Sequence, residues 1–318
     1  MKKAKTTFRI FRFNPEKDKQ PHYDEFAVEI DSMMSVLDAL EDIKHEQDAS
    51  LTFRRSCRSG ICGSCAMKIN HLTKLACKTR ATTESSKHGE VLVEPMGNMP
   101  LIRDLIVDMG EFWKEVDRGK PWLVADEKML SDLSRENLLT KEQIQTSSKL
   151  ADCIMCGCCF SDCFSRVYDK NFSGPASLAK VVRFVNDPRD RAANKRISKL
   201  VEVGLWSCTH CYFCWSQCPK EVRPVEAISA LRTLSSDSGD VSQGARHVKA
   251  FSDSIRSTGM LNEAMVYLNT MRFDALRDVS LILRMAYKGK APSPFRRPIP
   301  KIDEVRLLYQ IVKEGKAR

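Results

Sequence analysis

The chain has 318 residues, of which 42% are hydrophobic and 29% charged, a composition typical of a globular protein with two or three domains. It has no run of 18 or more apolar residues, and its N-terminus lacks the apolar stretch and cleavage site of a secretion signal, so neither a membrane span nor export by its own signal is expected. The net charge is +10, and much of the excess lies in residues 241–318, with fifteen Lys or Arg against seven Asp or Glu.

The first hundred residues carry both strand and helix patterns. Thr7 to Phe13 alternates between apolar and polar residues and is predicted to be a strand, and Tyr23 to Ile30 a second one. A helix is predicted from Ser35, which is a candidate N-cap, to residue 48. Short strands are expected at residues 66–69 and 91–95, after a loop rich in cysteine and glycine. These elements predict a small α+β domain that ends near residue 105.

The remainder of the chain is predicted to be mainly helical. Helical patterns cover residues 104–116, 134–145, 177–187, 197–206 and 251–287, and a proline-rich stretch at 288–301 then interrupts the pattern. The expected domains are residues 1–105, 106–240 and 241–318.

The thirteen cysteines lie in three groups. Four fall between residues 57 and 77, five between 153 and 163, and four between 208 and 218. Disulfide frameworks belong mainly to small secreted domains, so clustered thiols in a chain without a secretion signal favour metal binding.

The first group has the spacing of a plant-type [2Fe-2S] site, C-x4-C-x2-C-x11-C. Gly60 and Gly63 lie between cysteines, where the backbone must turn sharply and direct N–H groups at the sulfurs. A structural zinc is the alternative for four thiolates, although zinc motifs usually present two separated C-x2-C pairs. The predicted ligands are Cys57, Cys62, Cys65 and Cys77.

The second and third groups both read C-x2-C-x2-C-x3-C, the run of bacterial ferredoxins. In two-cluster ferredoxins the fourth cysteine of each run binds the other cluster, so residues 153 to 218 are expected to form one metal-dependent unit. This rule predicts one ligand set of Cys153, Cys156, Cys159 and Cys218, and another of Cys163, Cys208, Cys211 and Cys214. Cys158 is left over and is interpreted as a small buried thiol beside a cluster.

A plant-type domain followed by a two-cluster domain resembles one family, the iron–sulfur subunit of succinate dehydrogenase and fumarate reductase. The stretches that carry the resemblance are VLDALEDIK, SLTFRRSCRSGICGSCAMKIN, EPMGNMPLIRDLIVDM and CIMCGCC, within residues 6–235. The resemblance implies a β-grasp ferredoxin domain, a helical two-cluster domain, and electron transfer between an FAD-containing subunit and a membrane-associated quinone-reactive subunit. No residue of this chain is then expected to be catalytic, and the absence of a GxGxxG or Walker fingerprint assigns the FAD to the partner.

Two positions depart from the common family pattern. Cys211 stands where common members have a non-cysteine residue and a [3Fe-4S] cluster, so the third cluster is predicted to be [4Fe-4S], with [3Fe-4S] as the alternative. Tyr168 stands where the family has a tryptophan of the quinone site, which puts the usual quinone pocket in question.

The tail is similar to the C-terminal part of proteins that resemble the C-type iron–sulfur component of heterodisulfide reductase, whose partners carry cysteine-rich CCG domains. The resemblance implies a membrane anchor or a CCG-domain subunit as partner, with quinone reached indirectly. The basic tail is interpreted as a docking surface, with anionic lipid as one candidate ligand, and not as a nucleic-acid site.

The expected location is the cytoplasmic face of the inner membrane, or the periplasmic face if the flavoprotein carries the chain across. The alternative function is that of the iron–sulfur subunit in a thiol-driven fumarate reductase or heterodisulfide reductase-like complex.

Overall fold

Five strands from the first hundred residues form one mixed sheet in the order β2-β1-β5-β3-β4. The computed structural model describes residues 4–131, 134 and 136–316. The strands are Ala4–Arg12 (β1), His22–Ile30 (β2), Ala66–Ile69 (β3), Leu72–Leu75 (β4) and Val91–Glu94 (β5). β1 pairs antiparallel with β2 and parallel with β5, while β3 pairs antiparallel with both β4 and β5. The predicted strands are confirmed, and β4 is an additional one.

The first helix, Val36–Asp42 (α1), begins as the sequence predicts. The Ser35 hydroxyl accepts from the Asp38 backbone N–H, and the Asp38 carboxylate accepts from the Ser35 N–H at 2.9 Å, which completes a capping box. A π-helical turn, Ile43–Gln47, continues it. The second helix, Ala81–His88 (α2), precedes β5.

A short hairpin occupies the first half of the helix predicted over residues 104–116. Its strands are Leu101–Arg103 (β6) and Ile106–Val107 (β7), and the helix itself runs only over Gly110–Arg118 (α3). Asp104 lies in the turn with φ of 45°. Its buried carboxylate accepts from the backbone N–H groups of Phe13 and Thr52 at 3.0 and 2.9 Å. These long-range bonds override the local helical pattern, so that half of the prediction is wrong.

The other helices before residue 240 are short. They are Glu127–Ser131 (α4), Lys141–Ala151 (α5), Cys158–Ser161 (α6), Phe164–Tyr168 (α7), Pro175–Val185 (α8), Ala193–Ser198 (α9), Phe213–Ser216 (α10) and Pro224–Asp237 (α11).

These bounds confirm the helix predicted over residues 177–187 and correct two other predictions. The helix predicted over 134–145 starts only after Thr140, which caps α5 through a capping box with Gln143; residue 135 lies outside the described residues. The pattern over 197–206 yields the end of α9 and a 3-10 turn, Leu205–Ser207, because Gly204 adopts a left-handed conformation between them.

The part of the chain up to Leu234 forms one compact unit with two hydrophobic cores. The first core lies between the sheet and α1, and it continues through Phe112 to Cys158 and Phe160. The second surrounds α8 and includes Phe172 and Ile228. The cysteine runs therefore lie on segments that pack against both cores.

A second compact unit begins at Ser235 and is helical, which confirms the predicted helical tail. Its helices are Gln243–Thr258 (α12), Glu263–Met271 (α13), Val279–Tyr287 (α14) and Ile302–Lys316 (α15), with a 3-10 segment at Arg272–Asp278. α12 packs against α13 and α15. Asn262 caps α13 and donates to the Pro294 carbonyl at 2.8 Å, so the proline-rich stretch folds back onto this helix. Among the described residues, no helix is long and apolar enough to cross a membrane.

Candidate iron–sulfur sites

The first cysteine group lies on a loop that presents backbone N–H groups to sulfur. The Cys57 Sγ accepts from the N–H groups of Ser59, Ile61 and Cys62 at 3.3–3.4 Å. The Ser64 N–H points at the Cys62 Sγ from 3.5 Å. Bonds of this kind stabilise a thiolate and suit a loop that wraps a cluster.

The β3–β4 hairpin explains how the fourth cysteine of this group reaches the other three. Cys65 directly precedes β3, and Cys77 lies in the 3-10 turn that follows β4, where the Ala76 N–H donates to the Cys65 carbonyl at 3.0 Å. Burial raises the pKa of Cys65 to about 12. Hydrogen bonds from the Ser64 hydroxyl and from backbone N–H groups lower the pKa of the exposed Cys62 to about 6. The group thus has a buried side and an exposed side.

A second group of cysteines, which we call the inner set, surrounds one cavity. The set comprises Cys153, Cys156, Cys159 and Cys218, and Cys158 also lines the cavity. Burial raises the pKa of Cys159 well above its usual value, and the neighbouring thiolates, that of Cys218 among them, raise it further. The N–H of Val222 donates to the Cys218 Sγ at 3.3 Å.

A third group, the outer set, surrounds a neighbouring cavity. It comprises Cys163, Cys208, Cys211 and Cys214. Burial raises the pKa of Cys163 to about 11 and that of Cys214 to about 12, and the thiolates of Cys208 and Cys211 add to both increases. The structure therefore groups the eight cysteines as the ferredoxin crossover rule assigns them, while their role as ligands stays a prediction.

The three groups follow one another in contact. A Cβ placed on Gly63, in the first loop, would lie 2.8 Å from the Cβ and 2.9 Å from the Cα of Cys156. Cys159 lines both the inner and the outer cavity, and the Cys214 thiolate is near enough to raise its pKa. The order from the first loop through the inner set to the outer set is thus built into one compact unit.

Two polar side chains that the sequence analysis missed hold the cysteine-bearing segments. Arg232, on α11, donates to the carbonyls of Trp206 and Cys208 at 3.0 and 2.7 Å. Asn98 donates through Nδ2 to the carbonyls of Phe160 and Cys163 at 2.9 and 3.1 Å. A helical arginine gives no sequence signal for this role, whereas Asn98 lies within the EPMGNMP stretch that carries the family resemblance.

The outer set opens onto an aromatic surface. Tyr212 and Phe213 line the outer cavity and are exposed, and the rings of Phe164 and Phe213 have centroids 6.0 Å apart. Tyr168, the last residue of α7, is also exposed. Cys211 itself is exposed. We call Phe164, Tyr212 and Phe213 the aromatic rim.

The donor sets fit iron–sulfur clusters. Each group supplies four thiols, the first loop directs amides at sulfur, and hydrophobic side chains enclose the inner set. Among the described residues, no three His, Cys, Asp or Glu side chains converge as a single metal ion requires. A cluster has several atoms at its core, so its thiolates stand further apart than the ligands of one ion.

Comparisons with known proteins agree with these sites. Residues 7–114 match the family described as "2Fe-2S iron-sulfur cluster binding domain", and residues 149–222 match "4Fe-4S dicluster domain". The fumarate reductase iron-sulfur subunit of Haemophilus influenzae is 37% identical over 231 residues, which cover 69% of this chain and 89% of that protein. Mitochondrial succinate dehydrogenase [ubiquinone] iron-sulfur subunit 2 of Oryza sativa subsp. japonica is 37% identical over 232 residues, 71% of this chain and 74% of that protein.

A solved structure shows the same fold. A chain of the Mycobacterium smegmatis Sdh1 complex in the apo form superposes with a TM-score of 0.67 at 24% identity, covering 75% of this chain and 98% of that chain. The unit that begins at Ser235 lies beyond both matched domain families. From the extent and identity of these matches, this chain belongs to the family of iron–sulfur subunits of succinate dehydrogenase and fumarate reductase.

Proposed function

We propose that this chain carries electrons between an FAD-containing subunit and a membrane-associated, quinone-reactive subunit of a succinate dehydrogenase or fumarate reductase complex. The observation that supports this most directly is the contact series of three four-cysteine groups within one compact unit. Such a series suits a relay, because each site lies against the next.

The first group would hold a [2Fe-2S] cluster and the inner set a [4Fe-4S] cluster. When bound, such clusters supply reversible one-electron carriers whose potentials depend on charge, hydrogen bonds to sulfur and solvent exposure. The contribution of this chain is to hold the thiolates, to direct amides at Cys57, and to pack apolar side chains around the inner set.

The outer set would hold a second [4Fe-4S] cluster. Cys211 supplies a fourth thiol of that cavity beside Cys163, Cys208 and Cys214. By the family resemblance, these three match the ligands of the three-iron site. With only three thiolates, the alternative would be a [3Fe-4S] cluster.

We infer the docking sites of the partners from the exposed ends of the series. Cys62 and Ile61 are exposed at the first loop and would face the flavoprotein, while the aromatic rim would face a membrane anchor or a CCG-domain subunit. The quinone then binds to that subunit, so the chain meets it indirectly. The complex would lie on the cytoplasmic face of the inner membrane, or on the periplasmic face after co-export with the flavoprotein.

Iron and sulfide analysis with redox-titrated electron-spin resonance on the intact complex tests this proposal. We expect about ten irons per chain and three separate reducible centres. A stoichiometric [3Fe-4S] signal after anaerobic purification would contradict the outer assignment, and zinc in place of iron would overturn the whole proposal.

The additional unit from Ser235 favours a second candidate, the iron–sulfur subunit of a thiol-driven fumarate reductase or heterodisulfide reductase-like complex. The two candidates differ in the electron donor. Supplying the purified complex with a quinol and, separately, with a dithiol, and measuring fumarate reduction, distinguishes them.

A further inference from the structure

The helix α14 is apolar yet lies on the surface. Seven of its nine residues are apolar or aromatic, and none is buried. Leu283 is 64% exposed and Tyr287 92% exposed. A helix that is apolar around most of its circumference is normally covered, and contiguous exposed apolar surface marks an interaction site.

The exposure extends beyond the helix. Every residue from Val279 to Phe295 is exposed, and we call this range the exposed segment. Its two aromatic residues, Tyr287 and Phe295, are each nearly fully accessible. Tyrosine is favoured where an apolar region meets water, as at the headgroup level of a bilayer, and an exposed phenylalanine adds apolar surface that can be inserted.

The charge of the exposed segment has a single sign. It contains Arg284, Lys288 and Lys290 and no Asp or Glu. Among the described residues, these three side chains make no ion pair, although other basic residues of this unit do, such as Arg296 with Glu263 at 2.7 Å. Apolar side chains combined with unpaired basic ones match a surface that offers both hydrocarbon and negative headgroups.

The length of α14 determines how it would meet such a surface. Nine helical residues extend for about 14 Å, whereas the hydrocarbon core of a bilayer is about 30 Å thick. The helix would therefore lie in the interface plane, with Val279, Ile282 and Leu283, which share one face, inserted and the basic side chains at the headgroups.

We propose that the exposed segment Val279–Phe295 is an interfacial anchor for anionic lipid, so that this chain contacts the membrane itself in addition to its partner subunit. This proposal rests on the proposed function in one respect only, namely that the complex lies at a membrane.

Flotation of the full, cluster-loaded chain with lipid vesicles tests the anchor. One vesicle consists of phosphatidylcholine alone and the other of phosphatidylcholine and phosphatidylglycerol in equal parts. We expect the chain to float with the mixed vesicles only. The variant Leu283→Asp with Tyr287→Asp should remain unbound, and Lys288→Glu with Lys290→Glu should lower the partition coefficient at least about tenfold.

A matched control reverses two charges elsewhere. Lys17 and Lys19 are exposed and have the same spacing as Lys288 and Lys290, so Lys17→Glu with Lys19→Glu makes the same change in net charge. This control should bind like the unaltered chain. The visible absorbance of each sample reports its clusters, so a failed anchor is distinguished from a failed cluster assignment.

Three results would overturn the anchor: no binding to either vesicle, equal binding to both, or equal losses in the control and in the exposed-segment variants. If the unaltered chain ignores lipid while the Leu283→Asp, Tyr287→Asp variant loses a partner subunit, the segment is a protein-docking surface instead.

Discussion

The inner and outer cysteine sets come from the same repeated motif but occupy different environments. In the inner set, Cys159 packs against the first core beside the buried Cys158, and Gly63 lies against Cys156. The outer set lies beneath the aromatic rim, with Cys211 exposed. The difference shows that one spacing can serve a site packed against the first core and a site with one exposed cysteine, because the packing around each set decides its access to solvent.

Removing the crossing cysteine should have the largest effect. We expect Cys218→Ala to lower the iron content from about ten to about two per chain, because the inner and outer sets share the segments from residue 153 to 218 and fold with their metal. Iron and sulfide analysis measures this. Cys158→Ala is the matched control, since Cys158 lines the same cavity without an assigned ligand role, and it should retain about ten irons. Equal iron loss in both variants would contradict the inner assignment.

Cys211→Ser tests the outer set more selectively. We expect the loss of about one iron and the appearance of a [3Fe-4S] spin-resonance signal, with the signals of the other two centres unchanged. The exposed position of Cys211 makes a general loss of structure unexpected. Cys158→Ser carries the same chemical change at a residue outside the proposed ligands and should leave the spectrum unaltered. An unchanged outer centre in Cys211→Ser would remove Cys211 from the ligand set.

The contact between the first loop and the inner set can be probed at two glycines. Gly63 and Gly60 have φ of 75° and 68°, so alanine at either position costs about 1–2 kcal/mol in the left-handed region. The three atoms nearest to a Cβ at residue 60 belong to the Lys78 side chain, which can move, whereas those nearest to one at residue 63 are the Cβ and backbone of Cys156. Gly63→Ala should therefore cost about 1–3 kcal/mol more than Gly60→Ala.

Gly63→Ala and Gly60→Ala also distinguish an effect of the contact with Cys156 from an effect of backbone strain alone. We expect Gly63→Ala to weaken the magnetic coupling between the reduced first and inner centres and to slow electron transfer between them several-fold. Power-saturation spin resonance and freeze-quench kinetics measure these two quantities. If Gly60→Ala changes them equally, backbone strain alone explains the result and the contact has no special role.

The smallest expected effect concerns Arg232 at the outer set. Its charge stabilises the Cys208 thiolate, and the reduced cluster carries one more negative charge than the oxidised one. Arg232→Gln should therefore lower the midpoint potential of the outer centre by tens of millivolts, while Arg232→Lys, which keeps the charge, should stay near the original value. A redox titration followed by spin resonance measures both variants. Arg223 is exposed and directly precedes α11, the helix that carries Arg232. Arg223→Gln is therefore the control and should leave the midpoint potential of the outer centre unchanged.

The cysteine sets could be predicted from the sequence because ligand spacing within each run is a local property of the chain, and the linings of the inner and outer cavities agree with the crossover between runs. The role of these cysteines as ligands stays a prediction. Of the helix caps at Ser35 and Thr140, the sequence predicted only the first. Ser35 was recognised as an N-cap, whereas Thr140 was placed inside a predicted helix. The helix prediction that was wrong at Asp104 failed for a different reason. That residue forms its hydrogen bonds with Phe13 and Thr52, far away in the sequence, and no local pattern reports such partners.

The contacts around the sites could not be predicted from the sequence either. The spacing suggested that Gly63 permits a turn, but its approach to Cys156 depends on how two segments nearly a hundred residues apart pack together. The exposure of α14 could not be predicted for the same reason, because it depends on tertiary packing. Its composition predicted a helix, while the absence of a burying neighbour is evident only when the described chain is folded.

The crossover of Cys218 also affects how the protein can be made. The ribosome delivers the first group completely once residue 77 has emerged, so its cluster can be inserted during translation. With the proposed ligand sets, the outer set is complete only after Cys214 and the inner set only after Cys218. The site at the centre of the relay is therefore the last to acquire its full set of thiols.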